Sequence, residues 1–409
     1  MGRDDVVVIG AGLAGLTAAA TAARGGASVV VLEAHGAGGR ARTDERGGFL
    51  MNQGPRALYR GGPAWRTLAE LKVGHRGHSP PLRGLRGLRG GGLVPLLRTG
   101  VVASLAPRLL AASPAGWAGH SAEDWVASLG ASPEVAGAAR ALIRVATYVA
   151  DLEALPAGLA LAQLRTALGR GVSYLDGGWR TLVDGLSAAA CGAGAVIEPR
   201  QAVSGIHGTA GDWEVSLAGG GTRRAAAVVV AAGGPVATRR LLPVDPGWGA
   251  LGPEVTAACL DVGVAGHRPP VVFGLDRPLY LSPHAPPGNL APAGASLVHV
   301  LRYGAGDARG DRRELRDLAR VAGVDDERVV QERFLARMVV SHLLPTPAQG
   351  LAGRPGVAVE GAPGVLVAGD WVGPSGWLAD AAVASGRRAG LLAAQAAART
   401  SAVGAHRVA

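Results

Sequence analysis

The run Gly10-Ala11-Gly12-Leu13-Ala14-Gly15, with Glu33 eighteen positions after Gly15, is the first group of residues whose spacing implies chemistry. Gly10 suits a tight turn, Gly12 lets the backbone approach a pyrophosphate, and Gly15 lets a helix pack closely on the preceding strand. A helix opening at Leu13 and Ala14 would turn unpaired amides and the positive end of its dipole toward the phosphates. Glu33, followed by Ala34, can accept both hydroxyl protons of an adenosine ribose, and its charge repels a 2′-phosphate.

A second cluster follows in Gly38-Gly39-Arg40-Ala41-Arg42-Thr43, and then the turn Asn52-Gln53-Gly54-Pro55-Arg56. Paired glycines beside an arginine let the guanidinium meet a pyrophosphate bidentately. Near the C-terminus the apolar run Val365 to Ala368 ends in Gly369-Asp370, and a glycine-containing turn leads into an alanine-rich helix beginning near Leu378. A carboxylate there can accept a hydroxyl proton, and the amides of Leu378 and Ala379 at the helix start favour negative charge. His75 and His78 lie in a basic, glycine-rich loop, and their spacing alone makes no metal site.

The stretch Glu33 to Thr43 resembles the GG motif of the flavin amine oxidase and phytoene desaturase superfamily. The C-terminal GDWVGP-GWLADAA-ASGR pattern resembles a bacterial, phytoene dehydrogenase-like branch better than classical monoamine oxidases. The resemblance implies an α/β fold: a Rossmann-like FAD-binding domain of the GR2 type, interleaved with an α+β substrate domain. It makes Arg40 and Arg42 diphosphate or flavin-side contacts and sets the Gly54, Pro55 and Arg56 turn near the isoalloxazine. Val203 becomes a backbone contact to adenine, Gly233 a neighbour of the cofactor and Asp370 a ribityl or diphosphate partner. Trp377 falls where many amine oxidases place an aromatic against the flavin face, with a core tryptophan as the alternative. No cysteine lies in the C-terminal flavin loop, so the implied FAD is noncovalent.

These residues must be positioned by elements the sequence also shows. VVVIG, LAGLTAAATAARG and SVVVLEA read as strand, helix and buried strand. Residues 174 to 206 repeat a Gly-Gly turn, an amphipathic helix and a strand, and DWEVSLA and TRRAAAVVVAA read as further strands. The FAD domain is expected over residues 1–60, 172–242 and 345–409, and the substrate domain over 61–171 and 243–344. In the latter, Ser121 with Asp124 marks a helix start, 134–148 is helical in pattern, 311–322 is a charged surface helix, and AACLDVGVA, PVVFGL, PLYLS and SLVHVLRY read as strands.

Composition narrows the function classes. Of 409 residues, 48% are hydrophobic and 18% charged, which excludes whole-chain disorder. The net charge of +10 comes from 41 basic against 31 acidic residues; Lys72 is the one lysine, and the remaining 40 are arginines scattered among 65 glycines, a bias that fits a GC-rich genome as much as selection for a basic face. The densest run, Arg83, Arg86 and Arg89, has no interleaved aromatic and reads as a solvated loop, so no nucleic-acid partner is expected. Two cysteines, Cys191 and Cys259, make neither a disulfide framework nor a metal motif, and no metal is expected. The absence of a basic n-region before the first strand argues against a signal peptide, so a reducing cytoplasm is the expected compartment. No spanning segment is read; peripheral membrane contact and oligomeric state stay open.

The expected reaction is dehydrogenation or desaturation of an apolar or amphipathic small metabolite by hydride transfer to flavin N5. Many amine-oxidising relatives carry a lysine in the later substrate segment, and this chain has none there, which places a flavin amine oxidase second. A lipid-binding protein resembling Rab GDP-dissociation inhibitors is the non-enzyme alternative. His299, Tyr303, Tyr280 and Tyr148 are candidates for proton handling and Arg302 or Arg333 for an anionic head group, each with a core or surface role as the alternative. Replacing Glu33→Ala should weaken FAD retention during dialysis; unchanged retention would show that the ribose register is wrong.

Overall fold

A computed structural model of the chain describes residues 4–81, 84–96 and 99–408. Its first sheet has a parallel core in which Val196–Pro199, Val29–Glu33, Asp4–Ile9, Thr222–Val230 and Val365–Val367 are neighbours in that order. Asp212–Leu217 and Val203–Thr209 extend the sheet antiparallel from Thr222–Val230. Val6 to Ile9 are buried without alternation, because both faces of a parallel sheet are covered. Val6, Val8, Val29 and Val31 pack under helices on one face, whereas Val7, Ile9, Val30 and Leu32 join Trp213, Val215 and Trp371 on the other.

The second sheet runs Val329–Ser341, Val255–Ala265, Ala295–Tyr303, Leu279–Ala285, Val272–Gly274, Arg86–Arg89, Gly92–Pro95. It is antiparallel except where Val272–Gly274 pairs with Arg86–Arg89. One face carries the helices Ala122–Ser128, Pro133–Thr147 and Ala157–Arg170. The other takes Leu315, Leu318 and Ala319 of the charged helix Ala308–Val321. A small sheet joins Leu58–Tyr59, Val172–Leu175 and Gly77–His78 in that order.

Most expected elements are present, including the Ser121–Asp124 capping box. Two differ. Arg86 and Arg89 lie in an edge hairpin and not in a solvated loop; Arg83 lies outside the described residues. The strand Val329–Ser341 was not anticipated, because VVQERFLARMVVS puts charges at Glu332, Arg333 and Arg337, two of which the structure pairs with acids across the sheet.

The C-terminal helix Ala379–Val408 crosses the first helix Leu13–Arg24 at close range. A Cβ on Gly386 or Gly390 would collide with the Ala14 or Ala18 carbonyl. Gly386→Val should therefore force the helices apart and destabilise by about 1–3 kcal/mol, lowering the denaturant midpoint. Gly169→Ala, in an exposed helix position with open space around it, should instead stabilise by about 0.5–1 kcal/mol.

Candidate cofactor and substrate site

The carboxyl ends of four parallel strands open on one cavity of about 410 Å³. Its wall takes Gly10 after Asp4–Ile9, Glu33 and Ala34 at the end of Val29–Glu33, Gly233 after Thr222–Val230, and Gly369 and Asp370 after Val365–Val367. Ligands of open α/β sheets bind at this end, where the strand order reverses. Gly12, Leu13, Ala14, Gly38, Gly39, Arg40, Arg56, Val203, Leu378 and Ala379 complete the expected members of the lining.

Local backbone explains several of these residue types. Gly10 has φ +100°, and a Cβ there would sit 2.7 Å from the Ala231 carbonyl oxygen. A Cβ on Gly12 would meet no protein atom within 4 Å, so it would occupy space that the cavity leaves to a ligand. Gly15 does not line the cavity; its bare Cα lets the helix start lie on the Gly10 carbonyl. Glu33 is fixed by two amides: Ala11 N–H donates to Oε2 at 2.7 Å and His35 N–H to Oε1 at 2.9 Å.

Opposite Glu33, Arg40 Nη2 lies 2.8 Å from Asp370 Oδ1, and its Nη1 donates to Asp370 Oδ2 and the Val340 carbonyl at 3.0 Å. His342 meets the same carboxylate with its backbone N–H at 3.1 Å and its Nδ1 at 2.9 Å. Burial opposes the charge on Asp370, yet Arg40 and His342 outweigh it and hold the carboxyl far below its usual range. Arg56 donates to the Arg40 carbonyl at 3.1 Å and sits over Trp179. Burial, with the Arg40 charge beside it, lowers its guanidinium to about 10. An acid at one end, amides and an arginine between, and a helix start at the other fit FAD by chemical character.

A second cavity of about 350 Å³ shares Arg56, Trp179, Val340, Leu378 and Ala379 with the first. The chain holds five tyrosines; Tyr59, Tyr148, Tyr174 and Tyr280 line this wall. Trp179, Phe273 and His284 join them; most of the rest is leucine, valine, alanine and proline, with Gln53, Arg56, Ser79 and Asp380 as polar members. Tyr148 O–H donates to the Pro55 carbonyl at 2.7 Å, Tyr59 O–H to the Ala146 carbonyl at 2.9 Å, and Tyr174 stacks on His284 at 3.7 Å. Pro55 lines this cavity as well.

Several expectations are corrected. Trp377 lines neither cavity; it is 1% exposed and its Nε1–H donates to the Thr147 carbonyl at 2.9 Å, so it is a core residue. Arg42 turns outward, 60% exposed, with Nε 3.5 Å from Asp44, and is not a cavity contact. Gly54 lies behind the wall at φ +74°, where a Cβ would strike Met338. His299 is fully buried behind the cavity, Tyr303 does not line it, and Arg302 pairs with Asp311 and Glu314. Arg333 is bound to Asp261 and Asp44. Cys259, Asp261 and His299 bring ligand atoms within 4.8 Å of one another, but the Arg333 guanidinium already sits on the carboxylate a cation would need.

Trp179, Tyr59, Tyr174 and His284 are cavity residues the sequence did not disclose. Trp179 had one available cue, its position directly after the Gly177-Gly178 turn; His284, between Pro283 and a proline pair, had none.

The chain belongs to the flavin containing amine oxidoreductase family, whose model matches residues 13–263. No curated protein matches it. It is similar in structure to an oxidoreductase from Methanosarcina mazei (TM-score 0.76, 20% identity, covering 94% of this chain and 99% of that one). It also resembles cyclohexylamine oxidase from Brevibacterium oxydans (TM-score 0.70, 16% identity, 97% and 99% covered). A third is a CLA-producing fatty acid isomerase from P. acnes (TM-score 0.70, 12% identity, 94% and 97% covered). At these identities the structures share the fold. Among the described residues no helix is long and apolar enough to cross a membrane.

Asp380 offers a check on the wall itself. Its Oδ1 accepts the Ala64 N–H at 2.8 Å at the start of helix Pro63–Glu70. Burial raises its carboxyl to about 6 despite that amide. Since the folded value lies above the unfolded one, ionisation opposes folding: stability should fall as pH rises from about 4 to about 6 and level off above. Asp380→Asn keeps the amide acceptor and should flatten that part of a Tm-against-pH curve; an unchanged slope would assign it to another group.

Proposed function

We propose that this family member dehydrogenates or desaturates an apolar or amphipathic small metabolite, with FAD held noncovalently. The observation that carries the reading is the second cavity, apolar and aromatic, sharing a wall with the flavin end of the first and lined by no lysine. Lys72 is exposed and outside both cavities. When bound, the flavin supplies the hydride-accepting chemistry.

The chain's own residues do the rest. The helix start at Leu378 and Ala379 favours negative charge on the cofactor. Leu58, Leu142, Val145 and Leu164 keep water from the reacting bond, and the tyrosine rings give the substrate a flat apolar surface. Residues 1–60, 172–242 and 345–409 are taken as the cofactor unit, and 61–171 and 243–344 as the substrate unit. An amine oxidase is the second reading, favoured by electron-rich rings that attract a cation and by Asp380 on the same wall. Glu33, Arg40 and Asp370 together at the first cavity support a flavin-loaded protein over a lipid chaperone.

Purified protein should be yellow, and anaerobic mixing with apolar metabolites should bleach the flavin. Bleaching only by amines, with hydrogen peroxide on admitting air, would promote the second reading. Colourless protein that does not take up FAD would overturn both.

A further inference from the structure

The cavity wall leads into a line of buried polar groups that flavin binding does not use. Asp261, fully buried, accepts at Oδ2 from Arg333 Nε at 2.8 Å. Arg333 Nη1 reaches Asp44 at 2.7 Å, and Asp44 is 35% exposed. On its other oxygen Asp261 meets His299 Nδ1 at 2.6 Å. The His299 ring lies edge-on to that of His284, centroids 4.5 Å apart, and His284 lines the second cavity. The line runs from solvent-touching Asp44 to the cavity.

Its hydrogens can be ordered by partners. Burial opposes the charge on Asp261, but His299 and Arg333 outweigh it; the carboxylate accepts a hydrogen bond from His299 Nδ1–H, which holds that proton on Nδ1. The other ring nitrogen, His299 Nε2, is buried and unpartnered. The Nδ1 of His284 on the adjoining ring is buried and unpartnered as well. The rings meet edge-on without a hydrogen bond between them; a proton on His284 Nδ1 leaves the lone pair on Nε2, the nitrogen left for the cavity. Burial, with His299 beside it, pushes His284 well below the ordinary histidine range, so the ring is neutral at pH 7. Tyr174, stacked on it and hydrogen-bonded to Ser282 at 3.1 Å, fixes its plane.

We propose that His284 is the proton acceptor of the substrate cavity, with His299 and Asp261 as positioning residues that deliver its lone pair to the substrate. This rests on the dehydrogenation reading. There the substrate's C–H bond would break with its electron pair, bound FAD supplying the hydride acceptor. The bond from hydrogen to the adjacent atom also breaks, its electron pair forming the new double bond and its proton going to His284 Nε2. The resulting imidazolium then lies edge-on against the His299 ring, with Asp261 behind. The inferred substrate class is one that presents an N–H, O–H or activated C–H next to the carbon that loses hydride.

The test uses the flavin-loaded full chain with 4-chlorophenol, which can donate a hydrogen bond, and 4-chlorotoluene, which cannot, both followed by equilibrium dialysis. His284→Phe keeps the ring against Tyr174 and removes both nitrogens; it should weaken 4-chlorophenol about tenfold, the order of one lost hydrogen bond, and leave 4-chlorotoluene within about twofold. Equal effects on the two probes, or none, would overturn the proposal. A second measurement needs no substitution: nitrogen NMR of histidine-labelled protein should show His284 neutral at pH 7 with its proton on Nδ1, whereas an Nε2–H tautomer or an imidazolium would overturn the ordering. Both readouts are independent of turnover, so their failure would leave flavin bleaching intact, and absence of bleaching would strike the functional reading instead.

Discussion

The ion pair between Arg40 and Asp370 joins residues 330 positions apart, and the shape of the first cavity depends on it. A carboxylate that is 2% exposed cannot stay charged without partners, and each of its partners comes from a different stretch of chain. Arg40 brings the glycine pair Gly38-Gly39; His342 follows the last strand of the second sheet; Asp370 ends a strand of the first. Satisfying one buried charge thus draws three segments to a common point. Trp371 adds a second tie, its Nε1–H donating to the Gly233 carbonyl at 2.9 Å. Once these contacts form, the turn that leads to Leu378 has little freedom in where the C-terminal helix begins.

The same economy governs the second cavity. Aromatic residues are 4% of the chain, yet tyrosines from four separated positions meet on one wall. They arrive on unlike elements: Tyr59 and Tyr174 on the small connecting sheet, Tyr148 just past helix Pro133–Thr147, Tyr280 on the second sheet. Tyr148 takes φ +64° at the helix end, which releases its side chain from the helical path and lets its hydroxyl reach the Pro55 carbonyl. A left-handed tyrosine is unfavourable in isolation; here the hydrogen bond and the Tyr303 ring, edge-on at 5.9 Å, hold it.

Legibility in the sequence followed the range of the interaction. Gly10, Gly12, Glu33 and Arg40 were readable because a strand, turn and helix of fixed geometry place them within one local unit, and Asp370 because a short apolar strand ends at it. Trp377 takes the core alternative and Arg42 leaves the cavity because a motif fixes the backbone without fixing the rotamer: the Thr147 carbonyl captures the indole, and Asp44 lies near the outward guanidinium. The strand Val329–Ser341 was hidden because its arginines break the apolar pattern, and their partners Asp261 and Glu254 are distant in sequence. His284 and Trp179 became visible only through tertiary neighbours.

Stability does not account for the line from Asp44 to His284. A buried ion pair gains little over well-packed apolar residues, and two unpartnered ring nitrogens each cost about 1–3 kcal/mol of lost solvation. An apolar filling at Asp261, His299 and Arg333 would serve the sheet at least as well. What such a filling would not do is tie Arg333 to Asp44 and to the Met51 and Asn52 carbonyls of the N-terminal segment while leaving an imidazole on the cavity wall. The guanidinium that joins the second sheet to the N-terminal segment also helps His299 to hold Asp261 charged against burial, and that carboxylate takes the His299 Nδ1–H. Docking of the two sheets and readiness of the cavity for a proton are then consequences of one arginine, which explains why its charge is buried at this junction.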